Sequence, residues 1–506
     1  MLERSAFLPG QTAFRPAARP VLAGLGVPAA WLSACLWTAP AAAEPPTLLT
    51  PGGAVNLQPS PEESTTEEGP FGFLTGISRS ANLLGDMWGL RPLLSQYGIS
   101  FALSETSELL GNVTGGLKQG FEYDGLTQMA VQLDTQPAFG WYGGTFRASA
   151  LQIHGHNLSA DNLLSLQTAS GIEADDGARL WELWYQQKFL GEDRLDVKIG
   201  QQSLDQEFIV SQNALLFVNT MFGWPMVPSA DLPGGGPAYP LSALGVRVRA
   251  RPTDSLTALL AVTNGNPAPN NIGDPQVENP SGTSFPLNGG ALVIGELQYS
   301  YPALGAMVTS AQQDTHPGTV KLGFWYDSES FDDLQFDDTG LSLANPLSNG
   351  MPLQHRGNYS IYGVIDQAVW TSPAGSTLNF FTRAMGTPQG DRNLVVFSLN
   401  TGLTLHGPLP GRSNDTFGVA MEYAHVSGSQ AAFDQATAFY TGAFTPAQTG
   451  ESVIEVTYQY QLTPAVQLQP DFQYVFNPGA GIANPNHPNQ AIKNEAVLGM
   501  RVTLTF

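Results

Sequence analysis

The chain has 506 residues, of which only 13% are charged, while glycine (55) and proline (38) are abundant; this turn-rich composition favours an all-β architecture. The formal net charge of −22 argues against a nucleic-acid-binding protein, because phosphates would repel the chain. No interior run of about 18 apolar residues is present, which argues against transmembrane helices.

Residues 1–43 have the features of a secretory signal peptide. Three arginines precede an apolar stretch at 21–37, and alanines at 41–43 offer a small-residue cleavage site. Cys35, the only cysteine, lies in this segment within a tetrapeptide that could also be a lipoprotein cleavage box, so lipidation stays open as an alternative. Cleavage after residue 43 would leave no cysteine, which excludes disulfides and thiol chemistry from the mature protein.

The segment 44–97 is predicted to be periplasmic. Residues 44–69 are rich in proline, serine, threonine and glutamate and have little apolar surface to bury. Leucines and a tryptophan within 80–97 recur near helical spacing, which predicts a short amphipathic helix before the next domain.

Residues 98–506 are predicted to form a transmembrane β-barrel. Segments of about ten residues carry apolar side chains at one parity and polar or small ones at the other, which gives each strand a lipid face and a wet face. In 466–477, for example, Phe472 and Tyr474 alternate with Asp471 and Gln473. Sixteen strands are predicted: 99–110, 121–134, 144–155, 178–190, 194–202, 243–251, 256–264, 290–301, 318–327, 357–370, 376–386, 393–406, 414–427, 450–462, 465–477 and 494–506.

The lengths of the connections favour a barrel over a soluble β-sandwich. From residue 178 onward most even-numbered connections are tight, whereas the odd-numbered ones are mostly long, at 203–242, 265–289, 328–356, 428–449 and 478–493. We therefore expect an all-β, 16-stranded antiparallel transmembrane β-barrel with short periplasmic turns and long extracellular loops. The aromatic final residue, Phe506, is typical of barrels recognised by the outer-membrane barrel assembly machinery, so lipid and lipopolysaccharide are expected to surround the protein.

Several stretches, in order along the chain from about residue 84 to the end, resemble the carbohydrate-selective porins of the OprB family. They are 115–120 (GGLKQG), 140–146 (GWYGGTF), 151–155 (LQIHG), 181–188 (WELWYQQK), 243–249 (ALGVRVR), 320–326 (VKLGFWY), 357–362 (GNYSIY) and 470–475 (PDFQYV). The resemblance implies passive diffusion of glucose and related small carbohydrates through the outer membrane. The preferred sugar and the oligomeric state, monomer or homotrimer, stay open.

Strand parity predicts which side chains face the lumen, where hydrogen bonds and stacking surfaces would serve a sugar channel. An arginine on the lipid face would cost roughly 2–4 kcal/mol, so the lumen is the better position for the charged residues. The predicted pore-lining residues are Arg147, Glu182, Trp184, Lys198, Arg247, Arg249, Trp325 and Asp471. The alternative for any one of them is a structural ion pair across the lumen.

The longest connection, 203–242, is predicted to fold inward as a constriction loop. Its candidate residues are Asp205, Glu207 and Trp224, and Trp224 has two possible roles, stacking on a pyranose ring or packing the loop against the wall. The acidic stretch 328–339 favours a solvated mouth over a divalent-cation site.

The sequence predicts no cofactor, no metal site and no catalytic activity. His154 and His156 lie two residues apart, yet no third ligand accompanies them. One alternative is a general porin or an anion-selective porin, and the presence of only five lysines disfavours the anion-selective form. Alternatives of another class are an outer-membrane barrel enzyme, for which no serine, histidine and acid cluster is evident, and a periplasmic carbohydrate-binding protein, which would leave the terminal Phe506 unexplained.

Overall fold

The computed structural model describes residues 82–269, 273–302 and 316–506, together with the backbone of a two-stranded hairpin, β1 (Leu48–Thr50) and β2 (Gly53–Val55). The predicted signal peptide at 1–43 lies outside the described residues, as does most of the predicted periplasmic segment at 44–97.

Sixteen antiparallel strands form one closed barrel, as predicted. The barrel closes where the last strand pairs with the first, with Arg501 opposite Glu108. The strands are β3 (Ile99–Thr114), β4 (Gly120–Asp134), β5 (Gly144–Gly155), β6 (Gly177–Phe189), β7 (Leu195–Gln202), β8 (Ala243–Ala250), β9 (Leu256–Asn264), β10 (Ala291–Tyr301), β11 (Gly318–Asp337), β12 (Pro352–Thr371), β13 (Thr377–Gly386), β14 (Val395–His406), β15 (Thr416–Val426), β16 (Gly450–Thr463), β17 (Val466–Phe476) and β20 (Glu495–Thr505). A small hairpin, β18 (Ala483–Asn484) with β19 (His487–Ala491), lies in the last outer connection.

The two faces of each strand differ as the alternation predicts. In β17, Asp471 and Gln473 are buried inside the barrel, whereas Phe472 and Phe476 are exposed on its outer surface. This outer surface is apolar along many strands, with Leu322 in β11 and Ile361 in β12 more than half exposed. Such a band of exposed apolar side chains is stable in lipid and unfavourable in water.

The two rims differ in the length of their connections. Tight turns join β6 to β7, β8 to β9, β12 to β13 and β16 to β17, and the connection 302–317 is the long exception at this periplasmic rim. At the opposite rim, 203–242 and 427–449 are long. The predicted loop 328–356 is shorter than expected, because β11 and β12 continue beyond the predicted bounds and leave only 338–351 as a turn. Asp337 organises this turn by accepting hydrogen bonds from Thr339 and Leu341.

The described residues contain five α-helices: α1 (Leu90–Ser95), α2 (Thr135–Phe139), α3 (Met226–Asp231), α4 (Pro275–Glu278) and α5 (Gly428–Thr441). Helix α1 lies within the stretch for which the sequence predicts an amphipathic helix. Its Arg91 donates hydrogen bonds to the backbone oxygens of Phe101, at 2.9 Å, and Phe506, so α1 contacts the first and last strands at their seam. None of the helices in the described ranges is long and apolar enough to cross a membrane.

Candidate functional site

The long outer connection 203–242 folds into the lumen of the barrel. Its side chains Phe208, Ile209 and Val227 are at most 1% exposed, in an apolar core that they share with the wall residues Trp325 and Val364. Removing apolar surface from water contributes about 25 cal/mol per Å², so this core favours the inward position of the loop. The loop therefore lies where the sequence predicts a constriction.

One arginine of the wall holds the loop by its backbone. Arg383, on β13, is 1% exposed and donates to four carbonyl oxygens of the loop. These belong to Ile209 (3.0 Å), Met221 (2.5 Å), Phe222 (3.0 Å) and Gly223 (2.9 Å). Hydrogen bonds from a charged donor are stronger than those between neutral groups, so Arg383 is a principal anchor of the loop.

Carboxylates of the wall accept from backbone N–H groups of the same loop. Glu296, on β10, accepts from Ile209 at 2.8 Å, and Glu455, on β16, accepts from Val218 at 2.6 Å and Asn219 at 3.0 Å. These bonds satisfy buried peptide groups that have no partner in a ladder of strands. Several inward charges of the barrel thus position the loop rather than face an open channel.

A glycine of the wall makes room for the loop. At Gly418, on β15, an added Cβ would come within 2.6 Å of Leu216 Cδ2 and 2.8 Å of the Phe217 ring. Any larger side chain at this position would displace the loop from the wall. The close packing of these two loop side chains against the wall therefore depends on glycine.

A second outer connection, 156–176, packs beside the first one. Glu451, on β16, accepts from the backbone N–H groups of Leu166 at 2.8 Å and Gln167 at 2.7 Å. The two loops also meet directly, where Gly171 donates to the carbonyl of Val218 at 2.9 Å. Together they cover the wall formed by β14–β17.

The predicted charged residues of β5–β7 lie side by side on the opposite wall. Arg147 and Glu182 form a buried ion pair with an Nε–Oε2 distance of 3.4 Å. Trp184 donates from its indole N–H to Glu182 at 3.2 Å, and the Lys198 ammonium lies 5.1 Å from the centre of its ring. Trp184 is half-buried and lies within cation–π distance of a lysine.

Three cations share two carboxylates on β7, β8 and the start of the loop. Arg247 contacts both Asp196 and Glu207, with 2.7 Å between its Nε and Glu207 Oε2. Arg249 contacts Asp196 at 2.6 Å, and Lys198 contacts Glu207. This patch therefore carries a net positive charge, although the whole chain is acidic.

The charge of Glu207 is fixed by its partners. Burial alone would raise the pKa of Glu207, but the positive charges of Lys198 and Arg247 outweigh it and lower the pKa to about 2. Glu207 is consequently ionised at neutral pH. It links the loop to the wall by charge-assisted bonds.

A polar cleft of about 450 Å³ lies between the loop and the wall formed by β6 and β8–β11. Four cations, two carboxylates, four amide or hydroxyl side chains and two apolar side chains line it: Lys188, Asp193, Gln206, Glu207, Val210, Gln212, Arg249, Arg251, Thr257, Leu259, Gln298 and Lys321. Because Lys188, Asp193 and Arg251 lie beside the tight turns, the cleft faces the periplasmic rim. Its volume is sufficient for a small ligand.

The structure brings together six of the eight predicted pore-lining residues, those of β5–β8: Arg147, Glu182, Trp184, Lys198, Arg247 and Arg249. Trp325 points inward as predicted, but it is 0% exposed beneath the loop and has no surface on open space. Asp471 is also buried, where it accepts from Gln473 at 3.0 Å.

The three predicted loop residues have different surroundings. Glu207 lines the cleft, whereas Trp224 is almost fully buried and donates to the carbonyl of Gly235 at 2.9 Å. Trp224 thus packs the loop, the second of the two roles considered for it. Asp205 accepts from Ser203 at 2.6 Å and from the Tyr239 N–H at 3.0 Å, and burial raises the pKa of Asp205.

Several residues of the site are not among the eight predicted pore-lining residues, and Arg251 and Arg383 are the most important of them. Arg251 continues the inward parity of Arg247 and Arg249, so the alternation of β8 could have identified it. Arg383 follows Phe381 by two residues on β13 and both face inward, which makes an arginine there a signal for a polar partner in the lumen. Within the described part of the chain, no three histidine, cysteine or acidic side chains converge as a metal site.

A closed sixteen-stranded barrel with an apolar outer surface, short turns at one rim and a loop folded into its lumen is an outer-membrane porin. The chain belongs to the carbohydrate-selective porin, OprB family, whose sequence profile matches residues 118–506. It is an integral protein of the outer membrane. The assignment confirms the family predicted from the eight sequence stretches.

Known relatives agree with this assignment. The chain is 24% identical to Porin B of Pseudomonas aeruginosa over 84% of this chain and 91% of the relative. It is 23% identical to the putative porin QuiX of Acinetobacter baylyi over 84% and 93% of the two chains. A solved structure of Pseudomonas putida OprB, at high pH, superposes with a TM-score of 0.73 and 23% identity, covering 85% of this chain and 99% of that one, which supports the same barrel fold.

Proposed function

We propose that small sugars such as glucose diffuse into the periplasm between the loop 203–242 and the wall formed by β6–β11. The observation that supports this route is the polar cleft of about 450 Å³ on the periplasmic side of the loop. Its amides and hydroxyls can donate to and accept from sugar hydroxyls, and a guanidinium can donate to two neighbouring oxygens at once. Contacts of this kind are weak enough to allow release.

The six predicted residues on β5–β8 have two roles in this proposal. Trp184 and Arg249 are the members with exposed surface, and Arg249 has 36% of its side chain exposed. We assign contact with the sugar to Arg249, which lines the cleft, and to Trp184, which lies outside the cleft lining on β6 and whose indole offers a stacking face to a pyranose ring. The buried members, such as Arg247 with Asp196, hold the charged wall in position, as does Glu207 from the loop.

We further propose that the chain acts as a channel without catalytic activity, in contact with lipid and lipopolysaccharide through its apolar outer band. Phe506, directly after the last strand, serves the barrel assembly machinery. A single barrel is the functional unit, alone or within a homotrimer, because each barrel encloses its own cleft.

The test is a planar-bilayer measurement of single-channel current during a titration with glucose. The proposal predicts saturable block in the unmodified protein and about tenfold weaker block in Arg249→Gln, since one charge-assisted hydrogen bond is lost. Arg356→Gln is the matched control, because Arg356 is exposed on β12 and does not line the cleft. A large conductance that glucose does not block would contradict the sugar site, and absence of any channel would contradict the proposal as a whole.

A further inference from the structure

The cleft beneath the loop concentrates positive charge in an otherwise acidic protein. Four cations line it, Lys188, Arg249, Arg251 and Lys321, against two carboxylates. Lys188 and Lys321, with Lys198 beside them, are three of the five lysines in the whole sequence. Such a cluster of positive charges attracts anions and raises their local concentration.

The carboxylates nearby do not balance these cations. Arg249 shares Asp196 with Arg247, and Glu207 is shared by Arg247 and Lys198. The cleft thus has an excess of positive charge at Arg249.

Two further cations are bonded mainly to neutral backbone groups. Arg251 donates to the carbonyl oxygens of Glu192 at 2.6 Å and Asp193 at 3.2 Å. The Lys321 ammonium donates to the carbonyl of Val210 at 2.7 Å, while its nearest carboxylate oxygen, on Glu296, is 3.9 Å away. Carbonyl groups orient these side chains without neutralising their charge; Glu296 forms a long ion pair with Lys321, and Asp193, near Arg251, is itself paired with Lys188 at 2.9 Å.

Neutral hydrogen-bonding groups accompany the charges. Gln298 and Thr257 lie opposite each other on β10 and β9, and Gln206 and Gln212 face the cleft from the loop. Such amides and hydroxyls suit the hydroxyl groups of a sugar, while guanidinium groups suit a carboxylate. The lining of the cleft is thus complementary to a molecule that carries both hydroxyl groups and a carboxylate.

The geometry points to sugar acids, that is, monosaccharides bearing a carboxylate, as the solutes that this cleft binds in preference to neutral sugars. This inference rests on the proposed sugar channel and specifies its substrate class. The carboxylate binds at Arg249 and Arg251, and the hydroxyl groups bind at Gln298 and the loop amides.

The test compares glucuronate with glucose, because the two share a pyranose ring and differ by one carboxylate. Block of single-channel current is titrated with each sugar in the full-length protein. We expect half-maximal block at about tenfold lower concentration of glucuronate, which corresponds to one added charge-assisted contact. Raising the salt concentration from about 0.1 M to about 1 M shortens the screening length from about 10 Å to about 3 Å and should reduce this preference.

Arg251→Gln should lower the ratio of glucuronate to glucose affinity, because it removes a charge from the cleft. Arg194→Gln is the matched control: Arg194 lies at the same rim but outside the cleft, where it contacts Asp254 at 2.8 Å, and its removal should leave the ratio unchanged. Heat-modifiable migration on gels verifies that both variants are folded.

The possible failures are distinguishable. Equal or weaker block by glucuronate, or a preference that Arg251→Gln leaves unchanged, overturns the sugar-acid inference while the sugar channel stands. Absence of block by either sugar overturns the proposed function itself.

Discussion

Replacing Arg383 with methionine should release the loop 203–242 from the wall of the barrel. The substitution keeps much of the side-chain length but removes the guanidinium that binds four loop carbonyls. A hydrogen bond to a charged group contributes about 1.5–3 kcal/mol, and bonds that share one guanidinium are not additive. We expect a loss of about 3–5 kcal/mol in the free energy that holds the loop inside, the range for breaking a buried charged network.

The assay is single-channel conductance together with liposome swelling in a disaccharide and a trisaccharide. A released loop should raise the conductance, add noise to the open channel and admit the larger sugar. The barrel itself should persist, because the β13 ladder to β12 and β14 does not depend on this side chain. Arg356→Met, at an exposed position, controls for the loss of one positive charge. Unchanged conductance and unchanged sugar exclusion in Arg383→Met would refute the anchoring role.

Three further predictions concern single contacts. Glu207→Gln removes a carboxylate that two cations share, so the reversal potential in a KCl gradient should shift toward anion selectivity; a shift toward cations would contradict this. The pKa of Glu207 is lowered to about 2, so the stability that its ion pairs contribute is fully present above the unfolded pKa near 4.5 and is lost as the pH falls toward 2. The single-channel conductance of the unmodified protein should therefore be constant from about pH 7 to about pH 5. Arg91→Ala removes the hydrogen bonds from α1 to the backbone oxygens of Phe101 and Phe506. The loss of about 1–3 kcal/mol of stability should lower the temperature at which the barrel unfolds on heated gels. An unchanged temperature would mean that α1 does not stabilise the seam.

The strands were predictable because lipid and lumen impose opposite preferences on alternate residues. The lipid face of β17 requires side chains such as Phe472, and a shift by one residue would place Asp471 in lipid. This constraint ends where the strands leave the membrane. For that reason the sequence predicts a loop where β11 and β12 extend: the acidic residues at 329–338 carry no apolar alternation, although Asp333 and Asp337 are buried in the structure.

The sequence predicts which site side chains point into the lumen, but not how much of each side chain is exposed there. Parity gives the inward orientation of Trp325 and Arg249 alike, yet only the loop decides that Trp325 is covered and Arg249 is open. The contacts that position the loop join distant parts of the chain, such as Arg383 with Ile209. No local sequence pattern predicts such pairs, because the residues near each partner fit its own strand or turn whether or not the other partner is present.

The inward fold of the loop had a sequence signal of its own. A connection as long as 203–242 that contains Phe208, Phe217 and Trp224 has too much apolar surface to remain in water. This apolar content predicts that the loop folds inward. The role of each aromatic residue, in contrast, depends on packing against wall residues such as Phe381.

If sugar passes through the cleft, then plugging the cleft should stop its passage. Gln298→Cys places a thiol in the cleft for a bulky methanethiosulfonate reagent, and Leu347→Cys, exposed on the turn 338–351, is the control. The measurement is uptake of radiolabelled glucose into proteoliposomes before and after labelling. Labelling should abolish uptake through Gln298→Cys and leave uptake through Leu347→Cys unaffected. Full uptake through labelled Gln298→Cys would show that sugar takes another path.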